Sequence, residues 1–220
     1  MASSIDIKRY NNTEARDAIK LSVLVCTIPN RKKELRELLN VFMKMDMWNE
    51  EIHQIEIITA LDNKEHSIGY KRQKLLEASH GTWIVFFDDD DMPNPWYLSE
   101  IIAGIEQAKY FPYDCMNIHG IMTTNGENPQ RWCHRYGEKV RNGGEEEEFD
   151  YYRPVIHFNP VLRSAALKAG FQNMRFGEDI DYSKRLQRFI SKPYTIELAL
   201  FHYRYNNRER HATKYGLRRR

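Results

Sequence analysis

The chain has 220 residues, of which 41% are hydrophobic and 29% are charged, and its formal net charge is +2. This size and balance are ordinary for a single globular domain with a buried core. No apolar stretch approaches the roughly 18 to 20 residues of a membrane span, and residues 1–8 lack the apolar core of a signal peptide, so we expect a soluble, cytoplasmic protein.

The first 110 residues predict strands and helices in strict alternation. Short apolar runs bounded by turn residues predict the strands, and apolar residues spaced along one helical face predict the helices. A strand–helix order repeated in this way is the pattern of a parallel, doubly wound nucleotide-binding sheet. In chain order the expected elements are a strand at Leu21–Cys26, a helix at Arg31–Met45, a strand at Ile55–Leu61, a helix at Ser67–Ser79, a strand at Trp83–Phe87 and a helix at Pro95–Gln107.

The second half of the chain is less regular. The stretch Asn125–Asp150 is polar and rich in glycine, so we expect part of it to form a mobile loop, with Glu145–Glu148 as a solvated face. Acidic residues follow Phe176, and they suit the N-terminus of a helix that runs to Ile190. The other expected elements are strands at Asn117–Thr123, Val155–Phe158 and Tyr194–Tyr203 and a short helix at Leu162–Ala169.

Four consecutive aspartates, Asp88–Asp91, directly follow the apolar strand Trp83–Phe87. That strand has no polar alternation, so we expect it to be buried on both faces, as in a parallel sheet. Four adjacent carboxylates repel one another unless a cation neutralises them, and their hard oxygen atoms favour Mg²⁺ or Mn²⁺. The carboxyl ends of parallel strands are also where open α/β sheets bind ligands. We therefore favour a metal site here over a solvated acidic turn.

The three cysteines, Cys26, Cys115 and Cys133, are far apart in the sequence. Their odd number and their spacing fit neither a disulfide framework nor a metal site. We expect them to be reduced thiols, as in an intracellular protein, with Cys26 acting as a small residue of the first strand.

Five segments together resemble one known family. They are Val23–Arg31, Leu61–Asn63, Arg72–Gln73, Gly81–Asp91 and Phe176–Leu186. In this order and spacing they are similar to the motifs of family 2 glycosyltransferases, which have the GT-A fold, and the similarity spans about residues 21 to 205. The chain departs from the family pattern at Gln73, where asparagine is usual, and at Thr82, where aspartate is usual.

The resemblance implies an α/β fold of the GT-A type, with a mostly parallel, Rossmann-like sheet flanked by helices and a less regular acceptor-side half. It implies one domain over residues 1–220, with a nucleotide-binding half at 21–110, an acceptor and catalytic half at 111–205, and a basic tail at 206–220. The implied enzyme moves a single sugar from a nucleotide-diphosphate sugar, with UDP-sugar favoured, to an acceptor hydroxyl. The Gln-x-x-Arg-Trp motif and trailing membrane helices of processive synthases are absent from the sequence.

The resemblance assigns donor-binding roles near the ends of the first three strands. Asp62 would accept a hydrogen bond from the base and Arg72 would pair with phosphate, although an ordinary turn aspartate and a solvated helix arginine remain open alternatives. The turn from Thr27 to Arg31 would frame the base, or simply connect a strand to a helix. The implied nucleotide-sugar-binding residues are Thr27, Pro29, Arg31, Asp62, Arg72, Asp88 and Asp89.

Metal binding and catalysis are assigned in the same way. Counting from Gly81 places the family's Asp-x-Asp motif on Asp88 and Asp90, and the implied cofactor is Mn²⁺ or Mg²⁺. His202 corresponds to a late histidine that binds the metal in many GT-A enzymes, and a half-buried strand histidine is the alternative. The implied general base for an inverting transfer is Asp179, with Glu178 or Asp181 able to serve instead.

Other functions stay open from the sequence alone. A sugar-phosphate nucleotidyltransferase of the same fold would need a glycine-rich loop after the first strand, and Thr27–Arg31 contains no glycine. A non-catalytic nucleotide-sugar-binding module would not need the acidic residues. The segment Arg204–Arg220 holds seven Lys or Arg against one Glu, so it could bind nucleic acid or a membrane surface, although a solubilising terminus is the favoured interpretation.

Overall fold

A computed structural model describes residues 4–11, 19–49 and 54–205 of the chain, so the predicted basic tail at 206–220 lies outside the described residues. The helices are α1 (Lys32–Lys44), α2 (Asp46–Asn49), α3 (Ile68–Ala78), α4 (Tyr97–Gln107), α5 (Arg163–Ala169) and α6 (Glu178–Leu186). The strands are β1 (Asp6–Asn11), β2 (Leu21–Thr27), β3 (Ile55–Leu61), β4 (Trp83–Asp88), β5 (Met92–Pro93), β6 (Cys115–Thr124), β7 (Glu127–His134), β8 (Arg141–Asn142), β9 (Tyr151–Arg153), β10 (Val161–Leu162) and β11 (Pro193–Tyr205).

The strands of the described residues form one mixed sheet in the order β1-β3-β2-β4-β10-β6-β7-β9-β8. As predicted, β3, β2 and β4 are parallel neighbours, joined by crossovers that carry α1 and α3. Antiparallel pairing appears at the edge, where β1 lies against β3, and beyond β4, where β10 lies against β4 and β6. The predicted α/β architecture, with parallel central strands joined through helices, is confirmed.

Two hydrophobic clusters cover the two faces of the sheet. Alternate residues of β2 point to opposite faces, with Leu21, Val23 and Val25 in one cluster and Leu24 and Cys26 in the other. Helices α1 and α4 cover the first face, and α3, α5 and α6 cover the second. All residues of β2 are buried, as are the first five of β4, which confirms the prediction of strands buried on both faces.

Within Asn125–Asp150, where part of the stretch is expected to form a mobile loop, the strand β7 was not predicted, and it pairs with β6 as a hairpin. The turn is Asn125-Gly126, and both residues have positive φ, 53° and 84°, as a two-residue hairpin turn with primed geometry requires. The outer part of β7 is exposed, which explains its polar sequence. The run Glu145–Glu148 is exposed, as predicted.

The prediction of a strand at Val155–Phe158 is wrong. The carbonyl of Val155 accepts hydrogen bonds from the side chains of Ser183 (2.6 Å) and Gln187 (3.1 Å), so α6 uses the backbone group that a neighbouring strand would need. The edge strand β1 was not predicted, because its sequence is largely polar and its side chains are half exposed.

Two helices begin or end at other residues than predicted. Helix α6 ends at Leu186 rather than Ile190, and α4 begins at Tyr97 rather than Pro95. The three cysteines are buried free thiols, as predicted. Within the described ranges, no helix is both long and apolar enough to cross a lipid bilayer.

The last strand, β11, carries the C-terminal part of the described chain back to the aspartates. It runs parallel to β6 over most of its length, and near its end it pairs with the two-residue strand β5, where His202 lies opposite Met92. Because β5 directly follows the acidic run, the end of β11 lies beside those carboxylates.

Candidate active site

The predicted functional residues gather at one edge of the sheet, because parallel strands end at the same edge. Thr27 ends β2, Asp62 follows β3 and Asp88 ends β4. A pocket of about 190 Å³ opens there. It is lined by Cys26, Thr27, Ile28, Arg31, Ile68, Lys71, Arg72, Asp88 and Asp89.

Not every predicted donor-binding residue lines this pocket. Pro29 lies in a single 3-10 turn between β2 and α1. The structure brings together Thr27, Arg31 and Arg72 with the first two aspartates of the run. Pro29, Asp62 and Asp90 lie outside the lining of this pocket.

The four aspartates differ sharply in burial. The side chains of Asp88 and Asp90 are 32% and 34% exposed, whereas Asp89 and Asp91 are buried, at 2% and 0%. The backbone turn after β4 thus directs the first and third carboxylates outward. These are the two residues that the Asp-x-Asp alignment assigned to the metal.

Arg31 bridges two of the aspartates. Its Nη1 atom lies 2.9 Å from Asp89 Oδ1 and 2.9 Å from Asp90 Oδ2. Burial nevertheless raises the pKa of Asp90 to about 6, because the effect of burial outweighs the attraction of Arg31. Repulsion from Asp88 and Asp89 raises this pKa as well. Burial also raises the pKa of Asp89 despite the same cation.

Asp91 is held by the last strand rather than by a cation. Its Oδ1 atom accepts a hydrogen bond from the backbone N–H of Arg204 (2.8 Å), and the Nε of Arg204 donates to the carbonyl of Asp90 (2.7 Å). Burial, followed by repulsion from Asp88, raises the pKa of Asp91 well above its usual range. The Oδ2 atoms of Asp91 and Asp89 are buried without a hydrogen-bond partner.

Asp62 and Lys71 form a buried pair behind the pocket. Lys71 Nζ lies 2.8 Å from Asp62 Oδ1 and donates to the carbonyl of Thr27 (3.2 Å). The other carboxylate oxygen accepts from the backbone N–H of His66 (2.8 Å). Burial alone would raise the pKa of Asp62, but the hydrogen bonds from Lys71 and His66 outweigh it and lower that pKa. Asp62 is therefore a fixed anion that locks the ends of β2 and β3 together.

Arg72 joins the two halves of the chain. Its Nη1 donates to Glu178 Oε1 (2.7 Å) and its Nη2 to Asp88 Oδ1 (3.2 Å). Burial of the guanidinium by itself lowers its pKa. The attraction of Asp88, and then of other anions, outweighs burial, so the net pKa is raised and the group stays cationic. An uncompensated buried cation is costly, so this pairing fixes the start of α6 beside the end of β4.

The two acids at the start of α6 have different surroundings. Glu178 is buried and bound to Arg72, and its pKa is raised because burial outweighs that cation. Asp179 is half-buried, and its Oδ1 accepts from the N–H of Ile180 (2.8 Å). Asp181 is paired with Arg185. Of these three acids, Asp179 is thus neither buried, as Glu178 is, nor held by a contact with an arginine like that of Asp181 with Arg185.

His202 lies on the strand that returns to the aspartates. Its Nε2 atom is 2.9 Å from Thr123 Oγ1. Burial, with repulsion from Arg204, lowers its pKa, so the imidazole is neutral at physiological pH. A neutral imidazole is the form that binds a metal, but in this structure its Nε2 contacts Thr123.

The acidic run has the chemistry of a site for a hard divalent cation. It offers carboxylate oxygens, two of them buried and without a partner, and burial raises the pKa of three of its members. A divalent cation would offset both costs. No group of three or more His, Cys, Asp or Glu side chains is arranged to hold a metal ion among the described residues. Asp88 and Asp90 are the members of the run whose side chains are exposed enough to contact an ion.

Two residues of the site were missed by sequence reasoning. Lys71 lies in the predicted helix Ser67–Ser79 with no role assigned to it, and Arg204 begins the basic segment Arg204–Arg220. The signal for Lys71 was its position next to Arg72, since two adjacent cations on the inner side of a helix require buried anions. Arg204 gave no local signal, because its contacts are to residues more than 100 positions away.

The sequence matches no protein-family model and no curated protein. The fold is similar to that of solved structures of S. aureus TarS. Residues 1–349 of TarS align with a TM-score of 0.59 at 17% identity, covering 84% of this chain and 60% of that one.

Two further structures of the same TarS fragment contain ligands. The complex with UDP-GlcNAc aligns with a TM-score of 0.54 at 14% identity, and the complex with UDP with 0.56 at 15%. Both alignments cover 84% of this chain, and they cover 58% and 60% of the two TarS chains. The chain thus spans about three fifths of the TarS fragment, and the likeness shows a GT-A-like fold.

Proposed function

We propose that this protein is a glycosyltransferase that moves one sugar from a nucleotide-diphosphate sugar, with UDP as the nucleotide, to an acceptor hydroxyl. The observation that carries the proposal is the pocket at the carboxyl edge of the sheet, where buried cations and outward-facing carboxylates meet. A diphosphate needs cations, and a divalent ion needs the carboxylates. The GT-A-like fold, shared with a protein solved with UDP-GlcNAc, supports the same assignment.

The donor would occupy the pocket, with its phosphates towards Arg31 and the acidic run. Asp62 already accepts from Lys71 and from His66 through its two oxygens, so a base that bonded Asp62 would replace the longer contact from His66 Nδ1 (3.2 Å). The backbone of the turn after Thr27, which Lys71 holds in place, would frame the base.

Asp88 and Asp90 would hold Mn²⁺ or Mg²⁺, with His202 as a further candidate ligand. When bound, the cation supplies Lewis-acid stabilisation of the charge that develops on the diphosphate leaving group. Arg72 keeps Asp88 in place through its 3.2 Å contact. Arg204 holds the turn after β4 in place through its hydrogen bonds to the Asp90 carbonyl and to the Asp91 side chain.

Asp179 would accept the proton of the acceptor hydroxyl while the hydroxyl oxygen bonds to the anomeric carbon. The bond from that carbon to the diphosphate breaks with its electron pair going to the phosphate oxygen, and a single displacement of this kind inverts the anomeric centre. Glu178 would act as a positioning residue, because its contact with Arg72 ties the start of α6 to Asp88.

The experiment is a donor titration by calorimetry. UDP should bind to the full chain in the presence of Mn²⁺ and lose most of its affinity in chelator or in Asp90→Ala. The matched control is Glu145→Gln, which removes an exposed carboxylate from another part of the chain and should bind UDP as the wild type does. Equal UDP affinity in Mn²⁺ and in chelator would contradict the metal assignment.

A second measurement separates an enzyme from a binding module. Sugar-nucleotide hydrolysis without acceptor, followed as UDP release over a panel of UDP-sugars, should rise above background with Mn²⁺ for at least one donor. Tight binding of the donor without any release, with or without candidate hydroxyl acceptors, would support a binding module instead.

A further inference from the structure

Arg31 contacts one of the two carboxylates to which the divalent cation is assigned, that of Asp90. One nitrogen of its guanidinium lies 2.9 Å from oxygen atoms of two different aspartates, Asp89 and Asp90. A nitrogen that bridges two carboxylates provides the positive charge that a metal ion would provide between them. Two cations repel one another when they share the same carboxylate oxygen, so the contact of Arg31 with Asp90 Oδ2 weakens the binding of a metal ion there.

Arg31 also differs from the other cations that line the pocket. The side chains of Lys71 and Arg72 are 5% and 6% exposed and are fixed by buried anions on other elements. The side chain of Arg31 is 30% exposed, and it lies at the end of the short turn before α1. Among these lining cations, Arg31 therefore has the most exposed side chain.

The pocket gives Arg31 an alternative partner. Arg31 lines it together with Asp88 and Asp89, so a diphosphate bound there would lie within reach of the guanidinium. Arginine binds phosphate through two parallel hydrogen bonds, as it binds carboxylate. An exchange from carboxylate to phosphate thus keeps the hydrogen-bonding groups of Arg31 satisfied and frees the Asp90 oxygen.

We propose that Arg31 and a divalent cation compete for the Asp90 carboxylate, and that a nucleotide diphosphate resolves the competition by drawing Arg31 onto its phosphates. This proposal rests on the proposed function, since it assigns the order in which that site fills. Its consequence is that metal and nucleotide bind as a pair, each strengthening the other by the same factor. Metal without nucleotide binds weakly.

The test measures Mn²⁺ affinity from the paramagnetic resonance signal of the free ion, with and without saturating UDP, in the full-length chain. Arg31→Gln removes the guanidinium. Arg31→Lys keeps the charge but loses the planar group that bridges two carboxylates. Lys33→Gln is the matched control, because it removes a cation only two residues from Arg31, in the first turn of α1. The Lys33 side chain is 85% exposed and lies by Glu37, not by the aspartates.

In the wild type we expect UDP to tighten Mn²⁺ binding by about tenfold or more, within the usual range of coupling between sites. Arg31→Gln should bind Mn²⁺ alone about tenfold more tightly than the wild type. UDP should tighten Mn²⁺ binding in this variant by a smaller factor than in the wild type, because only the direct contact of the ion with the phosphates remains. Arg31→Lys should show the same change to a smaller extent, and Lys33→Gln should match the wild type. A higher affinity of Arg31→Lys for Mn²⁺ alone is the decisive result, because this variant keeps the positive charge and loss of charge cannot explain it.

Unchanged or weaker binding of Mn²⁺ alone in Arg31→Gln would overturn the proposal, and so would an equal gain in Lys33→Gln. These outcomes differ from a failure of the proposed function. If the wild type binds Mn²⁺ but no UDP, the donor assignment fails, while the comparison of Arg31→Gln with Lys33→Gln in Mn²⁺ alone still decides whether Arg31 competes.

Discussion

Replacing Asp90 by asparagine should stabilise the protein while weakening its site. Burial raises the pKa of Asp90 from 3.8 to about 6, against the attraction of Arg31 and with repulsion from Asp88 and Asp89. The folded chain therefore holds this proton more tightly than the unfolded chain. The stability linked to Asp90 is fully present below pH 3.8 and is lost as the pH rises through about 6.

The magnitude follows from the size of the shift. Two pKa units correspond to about 3 kcal/mol at 1.36 kcal/mol per unit. The side chain is 34% exposed, and solvent screening reduces the value to about 1.5 kcal/mol. For a chain of this length, that difference raises the midpoint of thermal unfolding by about 3 to 6 °C.

The assay is thermal and denaturant unfolding of the wild type and Asp90→Asn in chelator, between pH 4 and pH 8. The variant should be more stable by the full amount at pH 7.5, and the difference should vanish towards the acid end. Glu145→Gln, which changes an exposed carboxylate, should show no such trend. With Mn²⁺ and UDP added, only the wild type should gain stability.

Two results would refute this reasoning. If Asp90→Asn is less stable than the wild type at pH 7.5, the contact with Arg31 outweighs the cost of burying the carboxylate. If the variant is more stable by the same amount at every pH, its gain does not come from the ionisation of Asp90.

Three further predictions concern the base, the acid stability and the packing of the chain. Asp179→Asn should keep UDP affinity within a few-fold while transfer falls by roughly 10² to 10⁴; near-normal transfer, measured as UDP release, would reassign the base. Burial lowers the pKa of His134 to about 3, so the unfolded chain takes up its proton first and stability should fall as the pH drops from about 6.5 towards 3; His134→Gln should flatten that fall in acid unfolding. A Cβ at Gly69 would lie 2.0 Å from the carbonyl oxygen of Gln172, so Gly69→Ala should cost about 1 to 3 kcal/mol or more in denaturant unfolding; Gly144→Ala, where a Cβ has nothing within 4 Å, should cost little, and equal losses would contradict the packing argument.

Local patterns were enough to predict the elements that surround the site. The apolar runs of β2, β3 and β4 are continuous because both of their faces are buried, and α1 shows its inner face in the spacing of Leu38, Leu39 and Phe42. The hairpin of β6 and β7 was missed although Asn125-Gly126 is a strong local turn signal. Its polar outer part was read as a loop.

The sequence by itself determined that a buried strand ends in four carboxylates and that an acidic pair opens a later helix. It could not determine which cations meet those carboxylates. Arg72 contacts Glu178 across 106 positions of the chain, and the Arg204 backbone reaches Asp91 across 113. Such contacts depend on how β11 and α6 pack against the parallel strands, because packing over the whole sheet sets these distances and no local pattern encodes them. Only the tertiary structure, for the same reason, placed Arg31 between Asp89 and Asp90.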